Sequence, residues 1–130
     1  MLDRTLQDLL EDEKRAFAFL ATTMEDGSPQ VTPVWFNTDG EYILINSAEG
    51  RVKDRNMRQR PQVALAILDP VDPYRYLQIK GRVIEITKES ADAHIDALAV
   101  KYTGKPYQGR TPGMVRVIYK ILPDNELMRR

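Results

Sequence analysis

Two short turns between segments with the composition of β-strands limit the fold more than any other feature of the chain. The segments are AFAFLAT (16–22), PQVTPVWFN (29–37) and EYILIN (41–46), all rich in apolar, β-branched or aromatic residues. The connections through EDGSP and NTDG are too short for the crossover of roughly a dozen residues that parallel strands need. The sequence therefore predicts three antiparallel strands joined by hairpins.

The rest of the chain adds strands and a few short helices. Strands are predicted at 62–68, 74–86 and 114–122, and helices at 48–60 and 91–102 as well as in the first segment. Six strands and about three short helices, without alternating β and α units, indicate a mainly β fold. The expected architecture is an antiparallel barrel whose gaps are filled by the helices.

Two segments carry specific expectations about burial. The continuous apolar run 16–22 is typical of a strand buried on both faces. The first segment is predicted to be an amphipathic helix whose apolar stripe needs a sheet or a partner to cover it. The leucines of that stripe are Leu2, Leu6, Leu9 and Leu10.

Length and composition restrict the function classes. With 130 residues, of which 42% are hydrophobic, residues 1–130 are predicted to form a single domain. The 19 basic and 19 acidic residues balance, so overall charge does not favour nucleic acid or a membrane surface. The chain has no cysteine, no cluster of histidines, no G-x-G-x-x-G motif, and no run of the roughly 20 apolar residues that span a bilayer. We expect a cytoplasmic protein without a metal site.

The segment AEGRVKDRNMRQRP (48–61) concentrates positive charge in this otherwise balanced chain. Between Arg51 and Arg60 lie five of the 19 cations and a single acid, Asp54. The residues predict a helix from 48 to 60 that starts at Ser47 as N-cap and is stopped by Pro61. A helix start with a hydroxyl and cations suits a phosphate monoester. A solvated basic helix and a nucleic-acid contact are the alternatives.

Side chains of this predicted helix are assigned to two environments. Val52, Asn56 and Met57 are expected to face inward, whereas Arg58 and Arg60 are expected to be solvated.

The order of three segments resembles a known family. LATTMEDGSPQVTPVWF, YILINSAEGRVKDRNMRQRPQVAL and YLQIKGRVIEIT are similar to the flavin-binding split β-barrel proteins related to pyridoxamine 5'-phosphate oxidase. SAEGRVKDRNMRQRP is most similar to the small branch that binds the deazaflavin coenzyme F420. The resemblance covers roughly residues 10–122 and implies a six-stranded antiparallel split β-barrel of the type that binds flavin mononucleotide (FMN).

The resemblance implies a phosphate site at the start of the helix that follows the third strand. Ser47, Arg51 and Lys53 would be its ligands. Arg55 and Asn56 would support the site or reach the longer anionic tail of F420. On ordinary grounds, Ser47 is also explained as a helix cap and Asn56 as a buried hydrogen-bonding residue.

The resemblance also implies contacts to the ring system of the cofactor and a homodimer with sites at the interface. The ring would lie along the second strand, and the strand that leads into Lys80 would come from the opposite subunit. The implied ring contacts are the backbone groups of Thr32, Pro33, Val34 and Trp35, with Tyr76 and Gln78 in trans. Trp35 and Tyr76 are equally explained as core aromatic residues, while Pro33 within a strand favours an edge or a bulge.

The implied activity is hydride transfer between F420 and an unsaturated small molecule. The alternatives are an FMN-binding oxidoreductase of the same fold and a non-catalytic carrier of flavin, deazaflavin or tetrapyrrole. No catalytic side chain is nominated, because such a cofactor carries the electrons itself. His94, the only histidine, is expected on a helix surface. The ending PDNELMRR lacks the longer C-terminal segment of the vitamin-forming oxidases, so pyridoxamine phosphate oxidation is not expected.

The loop at 103–113 bears on the choice between enzyme and carrier. If Tyr107 or Arg110 points inward from this loop over the cofactor site, the protein has a closed substrate pocket. An open surface at this place is expected of a carrier.

Overall fold

The computed structural model of the chain describes residues 4–128, with side chains described for residues 6–124. Seven strands and two α-helices follow two short 3₁₀ segments at Arg4–Leu10 and Asp12–Lys14. The elements are β1 (Phe17–Thr23), β2 (Pro29–Val34), β3 (Phe36–Asp39), β4 (Tyr42–Ala48), α1 (Val52–Gln59), β5 (Gln62–Leu68), β6 (Tyr76–Thr87), α2 (Ala91–Thr103) and β7 (Arg116–Met128). Leu2 lies outside the described residues.

One antiparallel sheet contains all seven strands, and it closes into a barrel. The strand order is β2-β1-β5-β6-β7-β4-β3, so β2 and β3 occupy the two edges. Only Trp35 separates β2 from β3 along the chain. The segment 29–39 therefore pairs with β1 through its first half and with β4 through its second half, which joins the two edges. The predicted antiparallel barrel is confirmed, and its second strand is divided at Trp35.

Inward-facing side chains fill the barrel. Alternate residues of each strand enter a single apolar cluster, and the first segment adds Leu6 and Leu9, which are 2% and 0% exposed. Leu6 and Leu9 of the leucine stripe are thus covered by the chain's own barrel, although the segment Arg4–Leu10 is 3₁₀ rather than α-helical. Strand members of the cluster include Leu20, Phe36, Ile45, Leu65, Ile67, Leu77, Ile79, Tyr119 and Ile121.

The prediction that the run 16–22 is buried on both faces is wrong. Ala18 and Leu20 of β1 are buried, but Phe17 is 46% exposed and Phe19 is only half-buried. The reason is that α2 contacts this outer face through Tyr102, whose ring stacks on Phe17 without covering it.

The predicted start of the cationic helix is also wrong. β4 continues through Ser47 to Ala48, which pairs with Arg116 of β7. A turn with Gly50 at a φ of 91° then leads to Arg51, the N-cap residue of α1. Long-range strand pairing extends β4 into the residues that the local pattern assigned to a helix.

One inward assignment in α1 fails as well. Asn56 and Met57 are buried as predicted, but Val52 is 38% exposed and Asp54 is buried instead. Asp54 tolerates burial because it accepts hydrogen bonds from Gly50 N–H and Arg58 Nε.

The second helix, α2, lies across β4 and β7. Its buried residues are Ala91, His94, Ile95, Leu98 and Ala99. At its end, Tyr102 Oη donates to the carbonyl of Ala16 at 2.8 Å and Lys101 Nζ donates to the carbonyl of Phe36 at 2.7 Å. These bonds fix α2 beside the break between β2 and β3. None of the helices in residues 4–128 has the length and apolar character needed to cross a membrane.

Candidate functional site

A cavity of about 330 Å³ opens where the break after β2, the end of β4, the start of α1 and the loop after α2 meet. It brings together six of the residues predicted from the sequence, namely Pro33, Val34, Trp35, Ser47, Arg51 and Lys53. It includes Tyr107, which the sequence analysis considered as an inward-pointing residue of the loop at 103–113, and adds four that sequence reasoning did not place in a binding site, namely Phe17, Asn46, Ile95 and Arg116.

Three cations line this cavity without a carboxylate beside them. They are Arg51, Lys53 and Arg116, and no acidic residue is among the described residues of the lining. None of the three takes part in an ion pair within the described part of the chain. Burial, followed by the positive charges of Arg51 and Arg116, lowers the pKa of Lys53. Positive charges placed this close together repel one another, and a bound anion would relieve the repulsion. The arrangement is therefore a candidate anion site.

A buried hydroxyl without a hydrogen-bond partner lies in the same lining. Ser47 is 1% exposed, and its Oγ has no partner among the described residues. Thr32 Oγ1 on β2 is the second buried side-chain oxygen without a hydrogen-bond partner among the described residues. Buried polar atoms are almost always hydrogen-bonded, so an unpartnered one beside three cations points to a missing ligand. The interpretation of Ser47 as a helix cap is wrong, because Arg51 holds that position.

Aromatic rings form one wall at the break between β2 and β3. The ring of Trp35 stacks on that of Tyr102, with centroids 5.4 Å apart and planes 8° apart. Tyr102 in turn stacks on Phe17 at 6.1 Å. Trp35 is only half-buried and lies outside the apolar cluster, so it is not a core residue of the barrel. Pro33, which has no N–H to donate, precedes the break, where strand pairing passes from β1 to β4.

A chain of buried polar groups lies behind Arg116. Arg116 Nε donates to Asn46 Oδ1 at 2.8 Å, and Asn46 Nδ2 lies 3.1 Å from His94 Nδ1. His94 Nε2 lies 2.9 Å from Asn37 Oδ1. Burial, followed by the charge of Arg116, lowers the pKa of His94 to about 4. The expectation of a histidine on the helix surface is wrong, since His94 is 9% exposed.

The loop after α2 places Tyr107 on the cavity. Its backbone N–H donates to Asp96 Oδ1 at 3.0 Å, and its ring lies 5.1 Å from the guanidinium of Arg116. The close approach of the Tyr107 ring to the loop needs a glycine at 109, where a Cβ would lie 2.5 Å from the phenol oxygen. Arg110 does not point inward, because Asp92 and Asp96 hold it against α2.

Two predicted ligands on α1 lie outside this cavity. Asn56 donates to Thr22 Oγ1 at 2.9 Å, and Arg55 donates to the carbonyl of Gly50. Both residues line a separate cleft on the other side of α1. Asn56 is therefore a buried hydrogen-bonding residue, and Arg55 holds the turn before α1.

The other two cations of the predicted helix, Arg58 in α1 and Arg60 directly after it, also bond to other groups of the protein. Arg60 Nε donates to the carbonyl of Thr23 at 2.7 Å, and Arg58 pairs with Asp54 and Glu49. Arg60 is half-buried rather than solvated.

Tyr76 and Gln78 lie on the outer face of β6. The residues between and beyond them, Leu77 and Ile79, are buried in the barrel core. Because side chains alternate along a strand, Tyr76 and Gln78 point away from the core, and neither lines the cavity of the same chain.

Comparison with known proteins connects this geometry to a family. The family model described as pyridoxamine 5'-phosphate oxidase matches residues 2–122. A solved structure named F420 reductase is 32% identical, with a TM-score of 0.87 over 99% of this chain and 100% of that one. General Stress Protein 26 from Bacillus anthracis (15% identity, TM-score 0.65, 96% and 95% covered) and HupZ from Group A Streptococcus (18%, 0.63, 100% and 99%) share the fold.

Proposed function

The chain belongs to the pyridoxamine 5'-phosphate oxidase family, and on this premise we propose that it is an oxidoreductase that uses F420 to transfer a hydride to or from an unsaturated small molecule. The observation that carries the proposal is the cavity whose described lining has three cations, a buried hydroxyl without a described partner and no carboxylate. Similarity to the structure named F420 reductase supports the choice of cofactor.

The residues of the cavity fit the phosphate of such a cofactor. A phosphate monoester carries close to two negative charges at neutral pH and accepts several hydrogen bonds. Arg51, Lys53 and Arg116 would supply the compensating positive charge. Ser47 Oγ would donate to a phosphate oxygen and so gain the partner that it lacks. Arg116 thus extends the ligand set implied by the sequence.

The wall at the break between β2 and β3 suits a flat ring system. Pro33, Val34 and Trp35 line the cavity there, and Trp35 adds an aromatic surface. Thr32 does not line the cavity, because it pairs with the buried Leu20 and so points to the inner face of the sheet. When bound, F420 supplies the hydride donor or acceptor, so the chain has to bind it, orient it and exclude water.

Tyr107 favours an enzyme over an open carrier. Its ring projects from the loop after α2 into the cavity lining, which is the arrangement expected of a covered substrate pocket. Its Oη would deliver a proton to the substrate if the reaction needs one. The alternatives are an FMN-dependent oxidoreductase and a carrier of flavin, deazaflavin or tetrapyrrole, since FMN carries the same kind of phosphate.

We also propose a homodimer in which Tyr76 and Gln78 reach the cavity of the other subunit. The outer face of β1, β2, β5 and β6 includes Phe17 and Val31, which are 46% and 64% exposed, although Phe17 also stacks on Tyr102. Tyr76 and Gln78 point to this same face. An apolar sheet face of this kind is typical of an interface between subunits.

Sedimentation equilibrium tests the dimer. Wild type is expected at about twice the mass of one chain at micromolar concentration, and Val31→Glu is expected to be a monomer because it buries a charge in the interface. Val71→Glu is the matched control, since Val71 is 87% exposed on the β5–β6 loop. A monomeric wild type would remove the contacts in trans.

Parallel titration with F420 and FMN, followed by cofactor fluorescence, tests the cofactor. Tight binding of F420 alone, with hydride transfer in a screen of enones and quinones, is the expected result. Preference for FMN would assign the protein to the flavin branch of the family. Binding of neither would contradict the proposed function, and binding of F420 with no turnover of any substrate would favour the carrier.

A further inference from the structure

Arg116 is a buried cation whose main hydrogen bond is to one neutral group. It is 7% exposed and has no carboxylate partner within the described residues. Its shortest bond runs from Nε to Asn46 Oδ1 at 2.8 Å, while Nη1 reaches the sulfur of Met114 at 3.5 Å and the ring of Tyr107 lies 5.1 Å from the guanidinium. The amide of Asn46 therefore fixes the Nε side of the guanidinium, and with it the direction in which the group points.

The orientation of the Asn46 amide is determined by its other partners. Nδ2 lies 2.9 Å from the carbonyl oxygen of Ala91, which can only accept, and 3.1 Å from His94 Nδ1. Arg116 Nε can only donate, so the amide oxygen must face Arg116 and the amide nitrogen must face α2. Both hydrogens of Nδ2 are then used, one on Ala91 and one on His94.

This arrangement requires one tautomer of His94. Nδ1 must be unprotonated to accept from Asn46, so the single ring proton is on Nε2 and is donated to Asn37 Oδ1 at 2.9 Å. A proton on Nδ1 would place two donors against each other. The charged group that acts on His94 is Arg116 itself, at the far side of Asn46.

We infer that His94 is a positioning residue of the anion cavity, which acts through Asn46 to aim the guanidinium of Arg116 at the bound anion. The inference deepens the proposed function and rests on it for the anion, whereas the side-chain network stands independently of which anion binds. His94 does not touch the cavity, since the lining contains Asn46 and Arg116 but not the imidazole.

Nitrogen NMR of the ligand-free protein tests the network directly. His94 is the only histidine in the chain, so the imidazole nitrogens give one set of signals. We expect an unprotonated Nδ1 and a protonated Nε2 at neutral pH, and in Arg116→Met we expect the pKa of His94 to rise because a nearby positive charge is lost. A proton on Nδ1, an imidazolium at neutral pH, or an unchanged titration in Arg116→Met would overturn the inference.

Binding of inorganic phosphate, followed by the amide signal of Ser47, separates a positioning role from a structural one. His94→Leu removes the acceptor and is expected to weaken phosphate binding about threefold to tenfold, the scale of one hydrogen bond. His94→Asn places an oxygen where Nδ1 was and is expected to bind like wild type. In the Arg116→Met background, His94→Leu is expected to cause no further loss.

Each departure from this pattern has a defined meaning. Equal weakening by His94→Leu and His94→Asn, or the same weakening without Arg116, would show a structural role only and overturn the inference. If wild type does not bind phosphate, the proposed anion site fails, while the NMR measurements still decide whether His94 sets the orientation of Asn46 and Arg116.

Discussion

The two sides of α1 carry the same kinds of side chain but differ in what neutralises them. On the outer side, Arg58 pairs with Asp54 and Glu49, and Arg60 donates to the carbonyl of Thr23. On the cavity side, Arg51 and Lys53 meet no acid in the lining and face the equally unpaired Arg116. A single run of cations in the sequence is thus divided by the fold into a structural half and a half that awaits an anion.

The difference shows how a binding site is recognised without a ligand. Cations paired with the protein's own acceptors contribute to folding, whereas unpaired like charges disfavour the folded state. Such a cluster persists where function needs it, at the expense of stability. Substitutions on the outer side of α1 should therefore change stability, and substitutions on the cavity side should change binding.

Asp54→Ala should destabilise the outer side of α1 most strongly. Asp54 is 3% exposed and accepts from Gly50 N–H, Arg58 Nε and Tyr119 Oη. Removing this acceptor leaves the buried Tyr119 hydroxyl without a partner and takes one charge-assisted bond each from Gly50 and Arg58, which together should cost about 3–5 kcal/mol of unfolding free energy. Urea unfolding measures the loss, with Asp54→Asn, which keeps an oxygen for Tyr119, as the control. A loss below about 1 kcal/mol would mean that these bonds do not hold α1.

Acid should loosen the support of the cavity side before that of the outer side. The pKa of His94 is lowered to about 4 by burial and by Arg116, whereas a histidine in the unfolded chain has a pKa of about 6.5. The unfolded chain binds more protons between these values, so stability is full above pH of about 6.5 and falls, by on the order of 3 kcal/mol, as the pH approaches 4.

The contribution of Asp54 has a different pH window. Burial alone would raise its pKa, but hydrogen bonds from Gly50, Tyr119 and Arg58 outweigh burial and lower the pKa. Its stabilisation is therefore full above the ordinary aspartate pKa of about 3.9 and is lost below it.

The acid sensitivity assigned to His94 is measured by urea unfolding of wild type and His94→Asn between pH of about 7 and 4.5. The unfolding free energy should fall with pH in wild type only. An equal slope in both proteins would assign the acid sensitivity to other groups.

Local patterns were sufficient to predict the fold. Short turns and the composition of the segments predicted the antiparallel barrel, because both signals depend on residues that are close in sequence. The start of α1 could not be predicted in this way. β4 extends to Ala48 because it pairs with Arg116, and that pairing joins segments far apart in the chain.

The candidate site was predictable only in part for the same reason. Ser47 lies at the end of β4, and Arg51 and Lys53 lie at the start of α1, so all three belong to one short segment whose charge and family resemblance predicted a phosphate site. Asn46 and Arg116, 70 residues apart, come together only through the pairing of β4 with β7. The sequence contained one signal for Arg116, which stands between Val115 and Val117 in the predicted strand MVRVIYKIL. A cation at such a position has to be exposed or to have a partner, so it could have been nominated as a binding residue.

Lys53→Ala should separate binding from folding on the cavity side. Loss of a charge-assisted hydrogen bond should weaken cofactor binding by about 1.5–3 kcal/mol. Stability without cofactor should stay the same or rise, because the remaining Arg51 and Arg116 repel one another less when Lys53 is gone. Fluorescence titration and thermal unfolding measure the two effects, with Lys53→Arg as the charge-preserving control. Unchanged affinity would count heavily against the anion site.

Arg60→Ala should show the reverse pattern with the smallest effect. Arg60 donates to the carbonyl of Thr23 and, at 3.3 Å, to Asn56 Oδ1, so its loss should cost about 1 kcal/mol of unfolding free energy. Cofactor affinity should not change, because Arg60 lies on the other side of α1 from the cavity. If Arg60→Ala weakens binding as much as Lys53→Ala, the ligand contacts the whole helix as a polyanion would, and the division between the two sides of α1 does not exist.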